Sequence, residues 1–295
     1  MSLKTKNILI SSNSGYCMGV KKAFQKTIEL SGKHANITVY GEMVHNRFAL
    51  KALDSLDIKK IDDLEDIVAD RNIEAVIIRA HGVDPNVEER LIFAGKKVYD
   101  FTCPKVKKVQ LLAKDLTKRG YFVLIFGKPS HPEVIGIVGY CKDNNLVIKS
   151  FDEINSDKFV TKISKYEKVA LISQTTMNSV KFEELSQYLL QNFSNIEIYN
   201  TLCKSPIKMQ EEAVKLAGKS EYMIVVGDKM SANTTALFEK IKPVCNAVFV
   251  ETAQDILVNE VSKYNSIGIA GGSSTPPEQI ETIYQAVLKI LQMEE

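Results

Sequence analysis

Short apolar runs alternate with helical periodicities along the whole chain, and the alternation recurs three times. Strand-like runs at residues 8–10, 98–99 and 196–199 each lead through a short polar step into a cysteine, and a helix-like stretch follows at 20–30, 106–116 and 207–216. Val20, Ala23, Phe24 and Ile28 fall at i, i+3, i+4 and i+8, and Val106, Val109, Ala113 and Leu116 at i, i+3, i+7 and i+10. Both sets place their apolar side chains on one face of a helix. A second set of strands, 75–78, 169–172 and 267–270, runs into polar clusters: His81-Gly82, Gln174-Thr175-Thr176 and Gly272-Ser273-Ser274-Thr275-Pro276.

The spacing is as regular as the pattern. Cys17, Cys103 and Cys203 are each followed 24 positions later by a glycine that ends the next strand, Gly41, Gly127 and Gly227. Four residues beyond those glycines stand His45, His131 and Ser231, all able to hydrogen-bond an anion. Such self-similarity marks a repeat architecture. Strands alternating with helices predict parallel sheets covered by helices, so the expected fold is α/β, with three repeated units at 1–102, 103–200 and 201–295 in a pseudo-threefold trefoil. Ligands of such units bind at the carboxyl ends of the strands, where every polar cluster lies. If those ends face inward, one central cavity collects cysteines, histidines and hydroxyls.

Composition narrows the function classes. The chain has 295 residues, 45% hydrophobic and 25% charged, with 38 basic against 36 acidic side chains and a net charge of +2. That balance gives no support for a nucleic-acid partner, and no apolar run approaches the ~20 residues of a membrane span. No signal-like apolar run follows the N-terminus, and a cytoplasmic protein is expected. Five cysteines form an odd, widely spread set, which disfavours a disulfide framework and leaves thiol or metal chemistry.

A single cysteine reads first as a core residue, but occupation of one repeated slot changes that for Cys17, Cys103 and Cys203. Three thiolates from three units can hold three irons of a 4Fe-4S cubane and leave the fourth iron without a protein ligand. A helix starting at each cysteine stabilises the thiolate and a net-negative cluster. Paired Cys-x₂₋₄-Cys spacing of structural zinc is absent, and the cysteines are too far apart for a single-loop cluster motif. Cys141 and Cys245 lie outside the slot and read as structural. Three of the four histidines, His45, His81 and His131, lie in strand-end loops; with Ser231, Asn233 and Ser274 they suit a diphosphate. His34, in a polar stretch, is expected at the surface. Glu133, two residues from His131, is placed to donate or relay protons from a desolvated site.

The motifs Gly15-Tyr16-Cys17-Met18-Gly19-Val20, Glu42-Met43-Val44-His45-Asn46, Ala80-His81-Gly82-Val83, Thr102-Cys103-Pro104, His131-Pro132-Glu133-Val134 and Gln174-Thr175-Thr176 occur in this order. In order and spacing the chain resembles the 4-hydroxy-3-methylbut-2-enyl diphosphate reductase family, iron–sulfur enzymes of the non-mevalonate isoprenoid pathway, over nearly its whole length. The resemblance implies a 4Fe-4S cluster on Cys17, Cys103 and Cys203, with the allylic hydroxyl of the substrate at the open iron. Two electrons and two protons are added, water leaves, and isopentenyl and dimethylallyl diphosphate form. It implies proton handling and hydroxyl positioning by Glu133 and Thr175, with His131 linked to proton delivery. The diphosphate falls to His45, His81, His131, Ser231, Asn233 and Ser274, and the electrons to a reduced ferredoxin or flavodoxin. The third unit departs from the family pattern: Ser205-Pro206 and Met209-Gln210 stand where Ala-Thr and Arg-Gln are usual, and Ser231-Ala232-Asn233 replaces Ser-Ser-Asn. A paralogous 4Fe-4S reductase or dehydratase acting on another anionic substrate is the alternative.

Overall fold

The computed structural model describes residues 6–44 and 46–292, the side chains at 157 and 158 aside. Among the described residues twelve strands are formed: β1 Asn7–Ile10, β2 Ile37–Tyr40, β3 Lys59–Ile61, β4 Ala75–Ile78, β5 Lys97–Asp100, β6 Phe122–Phe126, β7 Asn145–Ile148, β8 Val169–Ser173, β9 Ile196–Ile198, β10 Tyr222–Val226, β11 Asn246–Val250 and β12 Ser266–Gly271. They make three four-stranded sheets, ordered β1-β12-β10-β11, β3-β2-β4-β5 and β7-β6-β8-β9. The threefold α/β repeat expected from the sequence is therefore present. The three helices after the repeated cysteines extend the predicted stretches by one to three residues at each end: Met18–Ser31, Pro104–Lys118 and Lys204–Ala217.

The chain divides into two compact units. The first contains the chain up to Ile28, Glu42–Lys59 and everything from Lys204 onward. Its sheet is parallel throughout, with Ile8 opposite Ile267, Ile224 opposite Ile269 and Val225 opposite Phe249. Successive side chains of a strand point to opposite faces. Ile224 and Val226 accordingly join Ile267, Ile269, Ile283 and Val287 on one side. Met223 and Val225 meet Ala213, Ala217, Leu237 and Ile241 on the other. Covering both faces explains why these strands are nearly continuous apolar runs. β1, ahead of Cys17, pairs with β12, so the sheet that closes the chain also contains its first strand.

The second unit contains Glu29–Gly41 and Lys60–Cys203 and carries the other two sheets. β2, β4 and β5 run parallel, as do β6 to β9. Phe122, Leu124, Phe126 and Leu171 pack on Phe182, Leu185 and Leu189. On the opposite face Val123, Ile125, Ala170 and Ile172 pack on Val109, Ala113, Leu116, Val134 and Ile137. Among the described residues no helix is long and apolar enough to cross a membrane.

The repeated glycines mark close approaches. A side chain at Gly41 would run into the Arg79 guanidinium, one at Gly127 would lie 2.8 Å from Val134 and 3.1 Å from Gln174, and one at Gly227 would lie 2.7 Å from the Thr275 hydroxyl. Arg79, Gln174 and Thr275 are all in the loops just past the neighbouring strand, so the equal offsets report one packing constraint met three times. Gly127→Ala is expected to lower the stability of the folded chain by about 1–3 kcal/mol through overpacking, measured by urea unfolding.

Candidate functional site

The three cysteines share a backbone arrangement as well as a sequence slot. The Cys17 N–H donates to the Ser273 carbonyl at 3.1 Å, that of Cys103 to Ala80 at 2.9 Å, and that of Cys203 to Thr175 at 2.8 Å. Each acceptor lies two residues past the end of its strand, β12, β4 or β8. Each cysteine is therefore held against the loop that bears candidate polar residues, Ser274, His81 or Thr175. Helices begin at once: Cys103 is the N-cap residue of Pro104–Lys118, with proline at the first helical position where its missing N–H costs nothing. The Cys17 and Cys103 carbonyls accept from Lys21 and Lys107 at 2.9 Å. None of the five cysteines is in a disulfide, and the three repeated ones are half-buried. Cys141 is fully buried, its thiol pushed up to about 11 by burial, and Cys245 is also raised by burial, in keeping with structural positions. Among the described residues no three His, Cys, Asp or Glu side chains are gathered tightly enough for a single metal ion.

A carboxylic acid sits beside the Cys203 slot. Glu133, in the first turn of the helix Pro132–Cys141, is 1% exposed. Its Oε1 accepts from the Thr175 N–H at 2.7 Å and its Oε2 from the Thr175 hydroxyl at 2.9 Å. Burial pushes its pKa from an ordinary 4.5 up to about 7, although both Thr175 bonds favour the ionised form. His131 is the N-cap of the same helix, with Nδ1 accepting from the Glu133 N–H at 3.2 Å. In the neutral ring that bond leaves the proton on Nε2. The His81 ring meets His131 edge-on, with centroids 5.4 Å apart. Gln174 fixes the loop above them, accepting from the Lys128 N–H at 3.1 Å and donating to the Thr176 hydroxyl at 2.9 Å.

The hydroxyl cluster belongs to the first unit. Ser231 caps the helix Ala232–Ile241, and its Oγ lies 2.9 Å from Ser274 Oγ. Thr234 donates to Ser231 Oγ at 3.2 Å from beneath, a member the sequence motifs did not expose. Ser231, Thr234 and Ser274 are all buried. Asn233 lies in the first turn of that helix and is half-buried. Pro206 and Met209, positions that depart from the family pattern, line a small crevice with Gln210, Asn233, Gly271, Gly272 and Ser273. His45 lies outside the described residues. Two ten-residue helices thus start at hydrogen-bonding caps past strand ends, an arrangement whose N–H groups and dipole favour anions.

A model of the LytB protein family matches residues 8–288. The chain belongs to the LytB family. It is 38% identical over 277 residues to the 4-hydroxy-3-methylbut-2-enyl diphosphate reductase of Kosmotoga olearia, covering 92% of each chain. It is 32% identical over 287 residues to that of Caldanaerobacter subterraneus subsp. tengcongensis, covering 95% of this chain and 96% of the other. A solved structure of (E)-4-hydroxy-3-methyl-but-2-enyl diphosphate reductase, described as the terminal enzyme of the non-mevalonate pathway, is 31% identical and superposes with a TM-score of 0.79 over 97% of this chain and all of that one. The reductase structure from Plasmodium falciparum, 24% identical with a TM-score of 0.81 over 95% of this chain and 87% of its own, shares the fold. Like its LytB relatives, the chain is an enzyme of the oxidoreductase class.

One expectation is corrected. His34 is not a free surface residue: its side chain is 12% exposed, with Nε2 2.7 Å from the Tyr99 hydroxyl and Nδ1 3.7 Å from Glu74. Asp228 and Arg47, which no motif singled out, pair a buried carboxylate with an exposed guanidinium beside the Ser231 turn; the only hint was that Asp228 directly follows a repeated glycine.

The raised pKa of Glu133 has a sign that can be tested. The folded chain binds this proton more tightly than the unfolded chain, so the stability linked to it is complete below about pH 4.5 and is lost as pH rises through about 7. Urea unfolding across that range should show the wild type losing on the order of 3 kcal/mol relative to Glu133→Gln, which has no such titration.

Proposed function

We propose that the chain carries out the reductive dehydroxylation of 4-hydroxy-3-methylbut-2-enyl diphosphate to isopentenyl and dimethylallyl diphosphate, in the cytoplasm. Two electrons and two protons enter, the allylic C–O bond breaks, one proton ends on carbon and the other leaves in water. The support lies in one arrangement: a buried carboxyl bonded twice to Thr175, whose own carbonyl accepts from the N–H of Cys203. A proton source at neutral pH and a thiol slot are thereby one peptide apart.

The donor set suits a 4Fe-4S cluster. Cys17, Cys103 and Cys203 are half-buried cysteines outside any disulfide, in one repeated backbone setting at helix starts, where a thiolate is stabilised, and a cubane takes one thiolate per iron from separate segments. When bound, the cluster would relay electrons to the substrate and offer an iron without a protein ligand. Glu133 holds the proton to be delivered, and the Thr175 hydroxyl, already on Oε2, can pass it on and orient the substrate hydroxyl. His131, fixed by the Glu133 N–H, presents Nε2–H as a donor, and His81 packs against it. Ser231, Asn233, Ser274 and His45 bind the diphosphate together with the helix N-termini. A reduced ferredoxin or flavodoxin supplies the electrons.

The test is anaerobic reconstitution with iron and sulfide quantified, followed by oxidation of reduced methyl viologen on adding the allylic diphosphate. Rapid oxidation is expected, abolished with loss of cluster in Cys103→Ser. Glu133→Gln should keep its iron and lose about 10²–10⁴-fold in turnover, the range of general acid catalysis. A full cluster without turnover assigns the site to another anionic substrate, in line with the altered residues beside Asn233; no cluster overturns the assignment.

A further inference from the structure

The segment directly after His45 is anchored by a set of polar bonds to the loops around the Ser231 hydroxyl cluster. Asp228, 1% exposed, uses Oδ2 to accept from the Arg47 N–H at 2.8 Å and from Arg47 Nε at 3.1 Å, and Oδ1 to accept from the Met230 N–H at 2.8 Å. The Asp228 carbonyl accepts from the Ser231 N–H at 2.9 Å, so one residue both shapes the Ser231 turn and grips the arm that bears His45. Arg47 continues to Glu251 Oε1 at 2.6 Å, which also accepts from the Lys229 N–H at 2.9 Å. Gln279 completes the arrangement: its Nε2 donates to the Glu251 carbonyl at 2.7 Å, and its Oε1 accepts from Asn46 Nδ2 at 3.4 Å. Asn46 meanwhile caps the helix Arg47–Asp54 through the Phe48 and Ala49 N–H groups, at 2.9 and 3.0 Å.

Two features set this apart from an ordinary surface ion pair. A buried carboxylate next to a turn that binds a multiply charged anion would repel it unless neutralised, and Arg47 supplies the neutralising charge from a side chain that is itself 61% exposed. The Arg47 backbone N–H is also used, so the contact fixes the chain path between residues 46 and 48 and not only a flexible side-chain tip. Burial works to raise the Asp228 carboxyl, but the Arg47 and Met230 backbone bonds and the guanidinium together hold it below the ordinary carboxylate value.

We propose that Asp228 is a positioning residue that locks the Asn46–Phe48 segment onto the Ser231 turn through Arg47 and thereby sets affinity for the diphosphate group; the proposal rests on the functional reading above. An asparagine at 228 keeps the size, loses the charge and sets an N–H donor against either the Arg47 donors or the Met230 N–H, which weakens the contact without opening a cavity. Arg47→Gln removes the guanidinium part of the same contact from an exposed side chain and leaves the Arg47 backbone bond in place.

The probe is inorganic diphosphate, titrated calorimetrically into cluster-loaded protein, with steady-state kinetics on the allylic diphosphate alongside. Asp228→Asn and Arg47→Gln should each weaken diphosphate binding and raise KM about tenfold, while kcat falls less than threefold and iron content is unchanged. The double variant should be no weaker than the worse single one, because both remove one contact. Unchanged affinity in folded, iron-loaded Arg47→Gln, or a fall in kcat with KM unmoved, overturns the positioning role. A wild type that binds no diphosphate would instead sink the functional reading itself, and with it the proposal.

Discussion

The hydrogen bond from each repeated cysteine's N–H to a carbonyl two residues past a neighbouring strand organises the candidate site. It joins Cys17 to the Ser273 loop, Cys103 to the Ala80 loop and Cys203 to the Thr175 loop. A backbone bond is indifferent to side chains, so these loops are free to vary in chemistry while each cysteine's N–H stays bonded two residues past a strand end. The polar residues one position on, or at the acceptor itself, are His81, Ser274 and Thr175. Three similar frames thus carry an imidazole and two hydroxyls. Parallel strands covered on both faces supply the rigidity, and the loops at their carboxyl ends carry the chemistry.

Two buried carboxylates show how partners rather than depth decide charge. Glu133 and Asp228 are each 1% exposed, yet the first is pushed toward neutrality and the second held ionised. Glu133 receives two bonds from the uncharged Thr175, too little to offset its desolvation. Asp228 receives three backbone or guanidinium bonds, one carrying a full positive charge. One acid is thereby pushed toward the neutral form and the other held as an anion, within a single α/β scheme.

Much of this was legible in the residues. The apolar periods located the strands and the cysteine helices to within a few residues, because both are local. The glycine offset was legible because close approach between adjacent loops excludes any Cβ at those positions, and the same approach occurs in all three copies. The pairing of β1 with β12, the Arg47–Asp228 contact and the enclosure of His34 by Tyr99 and Glu74 were not, since they join segments far apart in the chain through partners that no periodicity marks. The double use of His131 and Ser231 was also hidden: each looked like an anion ligand and each is also the cap of a helix.

The placement of β1 bears on the order of events during synthesis. Cys17 leaves the ribosome long before the carbonyl that receives its N–H, Ser273, and the strand that flanks β1. The second unit, continuous from Lys60 to Cys203 apart from one short earlier segment, can organise Cys103 and Cys203 while translation continues, as domains generally do. The Cys17 setting cannot close until β12 and the Ser273 loop have been made. Loading of any group that needs all three thiols therefore waits for β12, and a chain truncated before that strand would hold two prepared thiols and one without its backbone partner.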